Sequence, residues 1–466
     1  MSIVALSAVL ISTVVIICSV LYSRYLAKCS ITGRGFPLVK EGGELLYGHL
    51  KTTNCQSTPW IFAEYRKRYG KTFAFMQGAF PTVVTSDINL IEEICLKKFS
   101  YFHSRMADPT SGNPDQSCNV HMFAARGQRW KRIRSLTSPA LSNKNLKLLY
   151  PTIEDSVNRW MNELSRDVLK NPDQEIHRRF QNLTFDVIAR CCLGRSESCQ
   201  HNDANLELIL KKFSGTKMWR KLTFNSLLWS LPQLKRIFAL GTLIWDSTCS
   251  LLGLPADPMG TFSSNIEQIV EKREKFDVRH DFLQFMKNVE DNEWSEWKSS
   301  NDVRIEMATT RIVKKLIPEE LISTARFMST AGFDTTANTL TYITFLLSCH
   351  PEIQEKLRAE VSSPTEISFE AVQSMQYLHW TLAETLRLFP HASLLQSRRC
   401  VQDSVIGNYE FKRGVNIMFD TWSLHHDPET WGTDAEIFRP ERTIVGWISF
   451  AILSWDGIRH HILKLI

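Results

Sequence analysis

The sequence predicts a mainly α-helical fold with small β-sheets, carried behind an N-terminal apolar segment. Three observations support this. Helical periodicity dominates residues 87–287 and resumes at Pro318. β-branched and aromatic runs are confined to short stretches near residues 72–85 and 405–419. No Gly/Ser- or Pro-rich linker divides the 466 residues, of which 43% are hydrophobic and 22% charged, so one large core is the simpler reading. The net charge of +6 is spread over helical segments rather than gathered in a stripe, which excludes nucleic acid as an expected partner.

The first element, Ile3 to Tyr22, is uncharged and about long enough to cross a ~30 Å hydrocarbon core. Arg24, Lys28 and Arg34 follow it, so the positive-inside rule leaves the bulk of the chain cytosolic and makes residues 1–30 an anchor with a basic flank. A cleaved signal peptide is the alternative. Against it, the apolar run exceeds a signal h-region and no small-x-small site closes it. Eleven cysteines, odd in number and irregularly spaced, fit a reduced compartment better than a disulfide framework.

Gly33–Gly48 reads as a turn-rich connector with one proline, Pro37. Trp60–Tyr69 reads as a helix, and Thr72–Met76 and Thr82–Thr85 as strands around a Gly78–Pro81 turn. The helical region that follows breaks near Pro109–Pro114, Pro172 and Pro255–Pro258. Leu227–Trp245 is unusually apolar for a surface segment and breaks at Leu231-Pro232, while Glu290–Lys315 is a charged linker. Pro318-Glu319-Glu320 is a strong helix start, and that helix is expected to run through Leu347. Helices at Ile353–Val361 and Ser374–Phe389 follow, then short strands over Val405–Phe419 with turns at Gly407-Asn408 and Arg413-Gly414.

Several motifs carry chemistry, each beside a plainer reading. In Ala331-Gly332-Phe333-Asp334-Thr335-Thr336, Gly332 admits a ligand to the backbone, and Asp334 with Thr335 sets an acid beside a hydroxyl, a pair suited to delivering protons. The same residues also suit a buried helix whose hydroxyls bond back to carbonyls. Glu384 and Arg387 at i, i+3 share a helix face; such a pair is ordinarily a solvated surface contact, and it gains meaning if buried and joined by Arg442. Trp130 and Arg134 at i, i+4 present an indole N–H and a guanidinium that together suit a carboxylate, or else simply stack on each other. Arg129, Lys131 and Arg132 face other directions and read as solvated.

The ordered set Trp130-Lys131-Arg132-Ile133-Arg134, Ala331–Thr336, Glu384-Thr385-Leu386-Arg387 and Phe438-Arg439-Pro440-Glu441-Arg442 resembles the cytochrome P450 superfamily, specifically its microsomal animal branch of drug- and steroid-oxidising enzymes. Asp281-Phe282-Leu283-Gln284, His350-Pro351-Glu352 and Asp427-Pro428-Glu429 add to the likeness, which covers about residues 55–442. The resemblance implies the P450 fold, with a catalytic domain over residues 31–442 and a b-type haem between two central helices. It implies that Asp334 and Thr335 are the oxygen-activating acid and alcohol, that Ala331 and Gly332 form the oxygen groove, and that Trp130 and Arg134 hold a haem propionate. Glu384, Arg387 and Arg442 match its structural core triad. It further implies monooxygenation of small lipophilic substrates at the endoplasmic reticulum membrane, with electrons from NADPH through NADPH–cytochrome P450 reductase and with cytochrome b5 as a possible second donor.

One part of the family pattern is not matched. The family's glycine-rich loop carries the cysteine whose thiolate binds iron, and no cysteine follows Cys400 here. The sequence therefore predicts a fold lacking that loop, the following helix and the last strands, with residues 443–466 as a non-family tail. Within Ser454-Trp455-Asp456-Gly457-Ile458-Arg459-His460-His461, His461 falls on the ligand position, although adjacent histidines near a chain end are usually exposed polar residues. Three readings stay open: a monooxygenase, a membrane-anchored P450-like protein without chemistry, and a truncated product.

Overall fold

The computed structural model describes residues 3–44, 46–53, 58–106, 109, 113–201, 203–214, 226–251, 258–273, 280–288, 294–295, 312–313, 316–391 and 396–442. His461 and the whole 443–466 segment lie outside the described residues, as does most of the charged 290–315 stretch. The chain forms two compact units.

The first unit comprises Met1–Asn113, Thr216–Ala256 and Ala392–Leu424. Its helix α1, Ile3–Cys29, includes the stretch Ile11–Cys29, which is long and apolar enough to cross a membrane. Ile11, Val14 and Val15 point outward from it, unburied. Its basic end is tied down: Arg24 donates to the carbonyl oxygen of Ser230 at 2.8 Å and to that of Leu46, and Gln233 donates to Ser23 at 3.2 Å. After a 3₁₀ turn at Pro232–Leu234, Ile237, Leu240 and Ile244 form an exposed apolar row.

A four-stranded sheet organises this unit. Strands β1 (Thr72–Gln77) and β2 (Phe80–Thr85) pair antiparallel, with Thr72 opposite Thr85. The turn expected over Gly78–Pro81 narrows to Gly78-Ala79, because Gly78 takes φ 63° and Pro81 is absorbed near the start of β2. β2 then pairs in parallel with a strand at Asn416–Phe419, whose other edge takes Ser397–Arg399. Phe62, Tyr65, Phe73, Phe75, Val84 and Met418 fill the core beneath it.

The second unit comprises Pro114–Gly215, Asp257–His391 and His425–Ile466. Its principal helices are α2 (Gly127–Thr137), α3 (Asn143–Lys170), α4 (Ile176–Cys191), α5 (Pro318–Cys349), α6 (Pro351–Val361) and α7 (Gln376–Leu388). α5 is the axis of the unit and packs most extensively on α4. Pro318 starts it, and Glu320 in the first turn accepts from the backbone N–H of Ile317 at 3.3 Å. Phe333 meets Phe185 edge-on, with centroids 6.1 Å apart and both rings fully buried. Each such burial stabilises by roughly 1.5–3 kcal/mol.

The helix expected over Ser374–Phe389 is present but starts two residues later, and Ser374 closes a preceding short helix. Met375 is extended, and α7 begins only at Gln376. The cause is a cap from another helix: the Glu360 carboxylate of α6 accepts from the N–H groups of Tyr377 and Leu378, both at 2.9 Å. That carboxylate supplies what a first-turn side chain would otherwise supply.

Candidate functional site

α5 has one closed face and one open face. Met328, Gly332, Phe333 and Ala337 are buried, whereas Phe327, Thr330, Ala331, Asp334, Thr335 and Asn338 remain partly exposed. Their spacing of three and four residues places the second set on one stripe of the helix. Asp334 and Thr335 thus lie on the side of α5 left open.

Asp334 is held by two carboxamides. Gln181 Nε2, from α4, donates to its Oδ1 at 2.9 Å, and Asn338 Nδ2, one turn along α5, donates to its Oδ2 at 3.2 Å. The two donors fix the plane of the carboxylate from opposite sides. The Thr335 hydroxyl donates to the Ala331 carbonyl oxygen at 2.8 Å, which is the back-bonded arrangement considered as the plainer reading. Its oxygen lone pairs stay available to accept. Thr339 continues the pattern, donating to the Thr335 carbonyl oxygen and meeting His391 Nε2, both at 2.8 Å.

Gly332 does something different from its neighbours. A Cβ there would stand 2.6 Å from Ile188 Cδ1 of α4. The missing side chain therefore serves the close approach of α4 to α5, and the Thr184 hydroxyl spans the same contact by donating to the Phe333 carbonyl oxygen at 2.8 Å.

On α2, the Arg134 guanidinium carbon lies 5.7 Å from the centre of the Trp130 ring, so the two share a helix face and stack. Trp130 packs on Val120, Met122, Ala125 and Ile133, which fixes the indole. Arg129 and Arg132, expected to be solvated, converge instead on Glu320. Arg129 Nε donates to Glu320 Oε1 at 2.7 Å and Arg132 Nη2 to the same oxygen at 2.6 Å, and the Glu320 side chain is wholly buried. A buried carboxylate requires paired, hydrogen-bonded cations, and these two arginines supply them. Arg129 also donates to the carbonyl oxygens of Pro114, Ser117 and Cys118, so one side chain joins the start of α5 to the segment before α2.

Glu384, Arg387 and Arg442 meet. Arg387 grips Glu384 with two bonds, Nε to Oε2 and Nη2 to Oε1, each 2.8 Å, and both side chains are fully buried. Arg442 Nε reaches Glu384 Oε1 at 3.3 Å. Sequence spacing gave no sign of the outer ring. Arg387 Nη1 donates to the His425 carbonyl oxygen at 2.7 Å, His425 Nδ1 meets the Arg387 carbonyl oxygen at 3.1 Å, and the guanidinium lies over Trp431 at 5.1 Å. Arg442 also binds Asp434 Oδ1 at 2.7 Å; that hydrogen bond holds the Asp434 carboxyl below the usual carboxylate range and raises Arg442.

The residues fit one edge of a haem and leave its iron ligand unassigned. A packed indole beside a guanidinium suits a propionate. The buried cysteines do not suit iron. Burial pushes the thiols of Cys191, Cys199 and Cys400 up to about 12, and the Cys400 thiol donates to the Gln402 carbonyl oxygen at 3.0 Å.

The cytochrome P450 family model matches residues 42–443. Among curated proteins, three from Caenorhabditis elegans that carry cytochrome P450 names are similar. CYP13A8 is 32% identical over 437 residues, covering 87% of this chain and 84% of the relative. CYP13A6 is 31% identical over 94% of this chain and 84% of its own length, and CYP13A5 31% identical over 91% and 81%.

Proposed function

The chain belongs to the cytochrome P450 family, and from that premise we propose a haem-dependent monooxygenase of the microsomal type that inserts one oxygen atom into small lipophilic compounds. Electrons come from NADPH through NADPH–cytochrome P450 reductase, with cytochrome b5 as an accessory donor, and α1 anchors the chain in the endoplasmic reticulum membrane. Haem, when bound, supplies dioxygen activation. The chain's own residues supply the surroundings.

The observation that carries this reading is the pair Asp334 and Thr335 on the open face of α5, with the acid oriented by Gln181 and Asn338. Asp334 holds a carboxylate that can pass a proton, and Thr335 presents a hydroxyl oxygen that can accept a hydrogen bond beside it. Ala331, one turn earlier, keeps the groove narrow and apolar. On α2, Trp130 and Arg134 are assigned to a haem propionate. The buried Glu384–Arg387–Arg442 cluster holds α7 to residues 434–442 and acts structurally.

A second reading, a membrane-anchored ligand-binding protein without chemistry, is favoured by one observation: burial pushes the thiols of Cys191, Cys199 and Cys400 up to about 12, and the Cys400 thiol donates to Gln402. One experiment separates the two. The chain, supplied with haem, reductase, NADPH and heavy-isotope dioxygen, is given 2-methylnaphthalene. Monooxygenation places one labelled atom in the product. Binding of the compound without labelled product establishes the second reading.

A further inference from the structure

An apolar cleft of about 250 Å³ opens between α3, α4 and α5, all within the second unit. Ile153, Val157 and Trp160 line it from α3, Phe180 and Leu183 from α4, and Leu340 from α5. Its rim on α3 is apolar, and Val157, Met161 and Val168 there are exposed. With Ile153 and the half-buried Leu164 they recur at steps of four and three, which makes one continuous stripe along the helix. A stripe of this pattern is the kind a helix buries against a partner.

The cleft is continuous with the surroundings of Phe438. Leu347 stands seven residues beyond Leu340, two turns of α5, and so on the same face. It packs with Leu346, Ile353, Leu388 and Phe438. Two turns span about 11 Å, a distance that four extended residues cover. The chain that follows Phe438 and Arg442 therefore starts within reach of the cleft. Residues 443–455 carry no charge, and they set Ile444, Ile448, Ala451, Ile452 and Trp455 at helical spacing.

We propose that the cleft is the berth of the chain's own segment 443–455, which lays an apolar helical face against Val157, Met161 and Leu340. The match is of apolar stripe to apolar stripe, and the occupant is tethered one short span away, so its effective concentration is high. This docking is independent of haem and of oxygenation. It bears on the site all the same: Phe180 and Leu183 flank Gln181 on α4, so the docked segment backs the helix that holds Asp334.

The test is cysteine accessibility in the full chain, reconstituted in phosphatidylcholine vesicles. Val157→Cys places a thiol in the cleft, and Leu169→Cys on the same helix is the reference. Labelling by a water-soluble maleimide is read residue by residue by mass spectrometry, which separates the native cysteines. Exposures of 38% and 87% at these positions account for a roughly twofold difference in rate. The expected result is that position 157 reacts about tenfold more slowly than 169. Ile448→Asp with Ile452→Asp returns the ratio to the twofold level and raises hydrogen exchange over residues 443–455, with exchange over α5 unchanged. A second measurement avoids charged substitutions: a short bismaleimide joins Val157→Cys to Ile448→Cys within one chain. A twofold ratio with the natural tail overturns the proposal. So does protection that survives the two aspartates, because a lipid chain or a second copy then fills the cleft, and dilution of the protein in lipid separates those two. Absence of the cross-link from Val157→Cys to each of Ile444→Cys, Ile448→Cys and Ile452→Cys overturns it as well.

Discussion

Gln181 on α4 donates to Asp334 on α5 at 2.9 Å, across 153 residues of sequence. This bond settles which way the acid of the open face points, and Asn338 completes it from the other side at 3.2 Å. Gln181→Leu is therefore expected to lower product formation about tenfold and to shift its pH profile, with Asp334 still present. Turnover against pH, wild type beside variant, is the measurement. A parallel loss at every pH with the profile unmoved indicates a packing defect instead.

Gly332→Ala forces a methyl to within 2.6 Å of Ile188 Cδ1. Overpacking of this kind costs about 1–3 kcal/mol. Chemical denaturation is expected to show that loss, and Ile188→Val in the same chain to restore a good part of it. No recovery in the double variant shows that the clash lies elsewhere.

Arg387→Lys leaves Glu384 fully buried without its two-bond partner. Breaking a buried pair of this kind costs about 3–5 kcal/mol, and a lysine cannot restore the fork. The expected outcome is a large fall in folded, membrane-extracted protein, read by thermal unfolding and protease resistance. Glu320→Ala is expected to act similarly, with new cleavage near residues 114–118, because Arg129 ties that segment to the same carboxylate.

The His121 imidazole falls from an ordinary 6.5 to about 4 in the folded chain. A depressed folded value means that the unfolded state binds the extra proton first as pH falls. Stability is then full above about pH 6.5 and is lost progressively toward pH 4, by at most about 3 kcal/mol. Urea unfolding at pH 7 and pH 5 is expected to show the loss in wild type and a smaller one in His121→Phe.

Cys400→Ser and Cys191→Ala are expected to leave the haem absorption spectrum unchanged, since burial keeps both thiols protonated and Cys400 is occupied with Gln402. A spectrum altered by either variant identifies that cysteine as an iron ligand.

What the sequence made legible was local. The i, i+3 spacing of Glu384 and Arg387, the proline and acids that start α5, and the punctuation by Gly78 all act within a few residues. What escaped was the company these residues keep at long range. Nothing local tells Gln181 to reach Asp334, or Glu360 to cap α7 and so set where the expected helix begins. The basic run at Arg129–Arg132 looked solvated because its buried partner, Glu320, is 188 to 191 residues away. The Leu227–Trp245 stretch was legible as unusually apolar from composition, while the exposed row of Ile237, Leu240 and Ile244 within it is seen only in the fold.

The central claim is that Asp334 and Thr335 work together on the open face of α5, and its most direct test is the ratio of oxygenated product to NADPH oxidised. With 2-methylnaphthalene as probe, Thr335→Ala and Asp334→Asn are each expected to keep consuming NADPH while the ratio falls about 10- to 100-fold. A ratio equal to wild type in both variants would contradict the account.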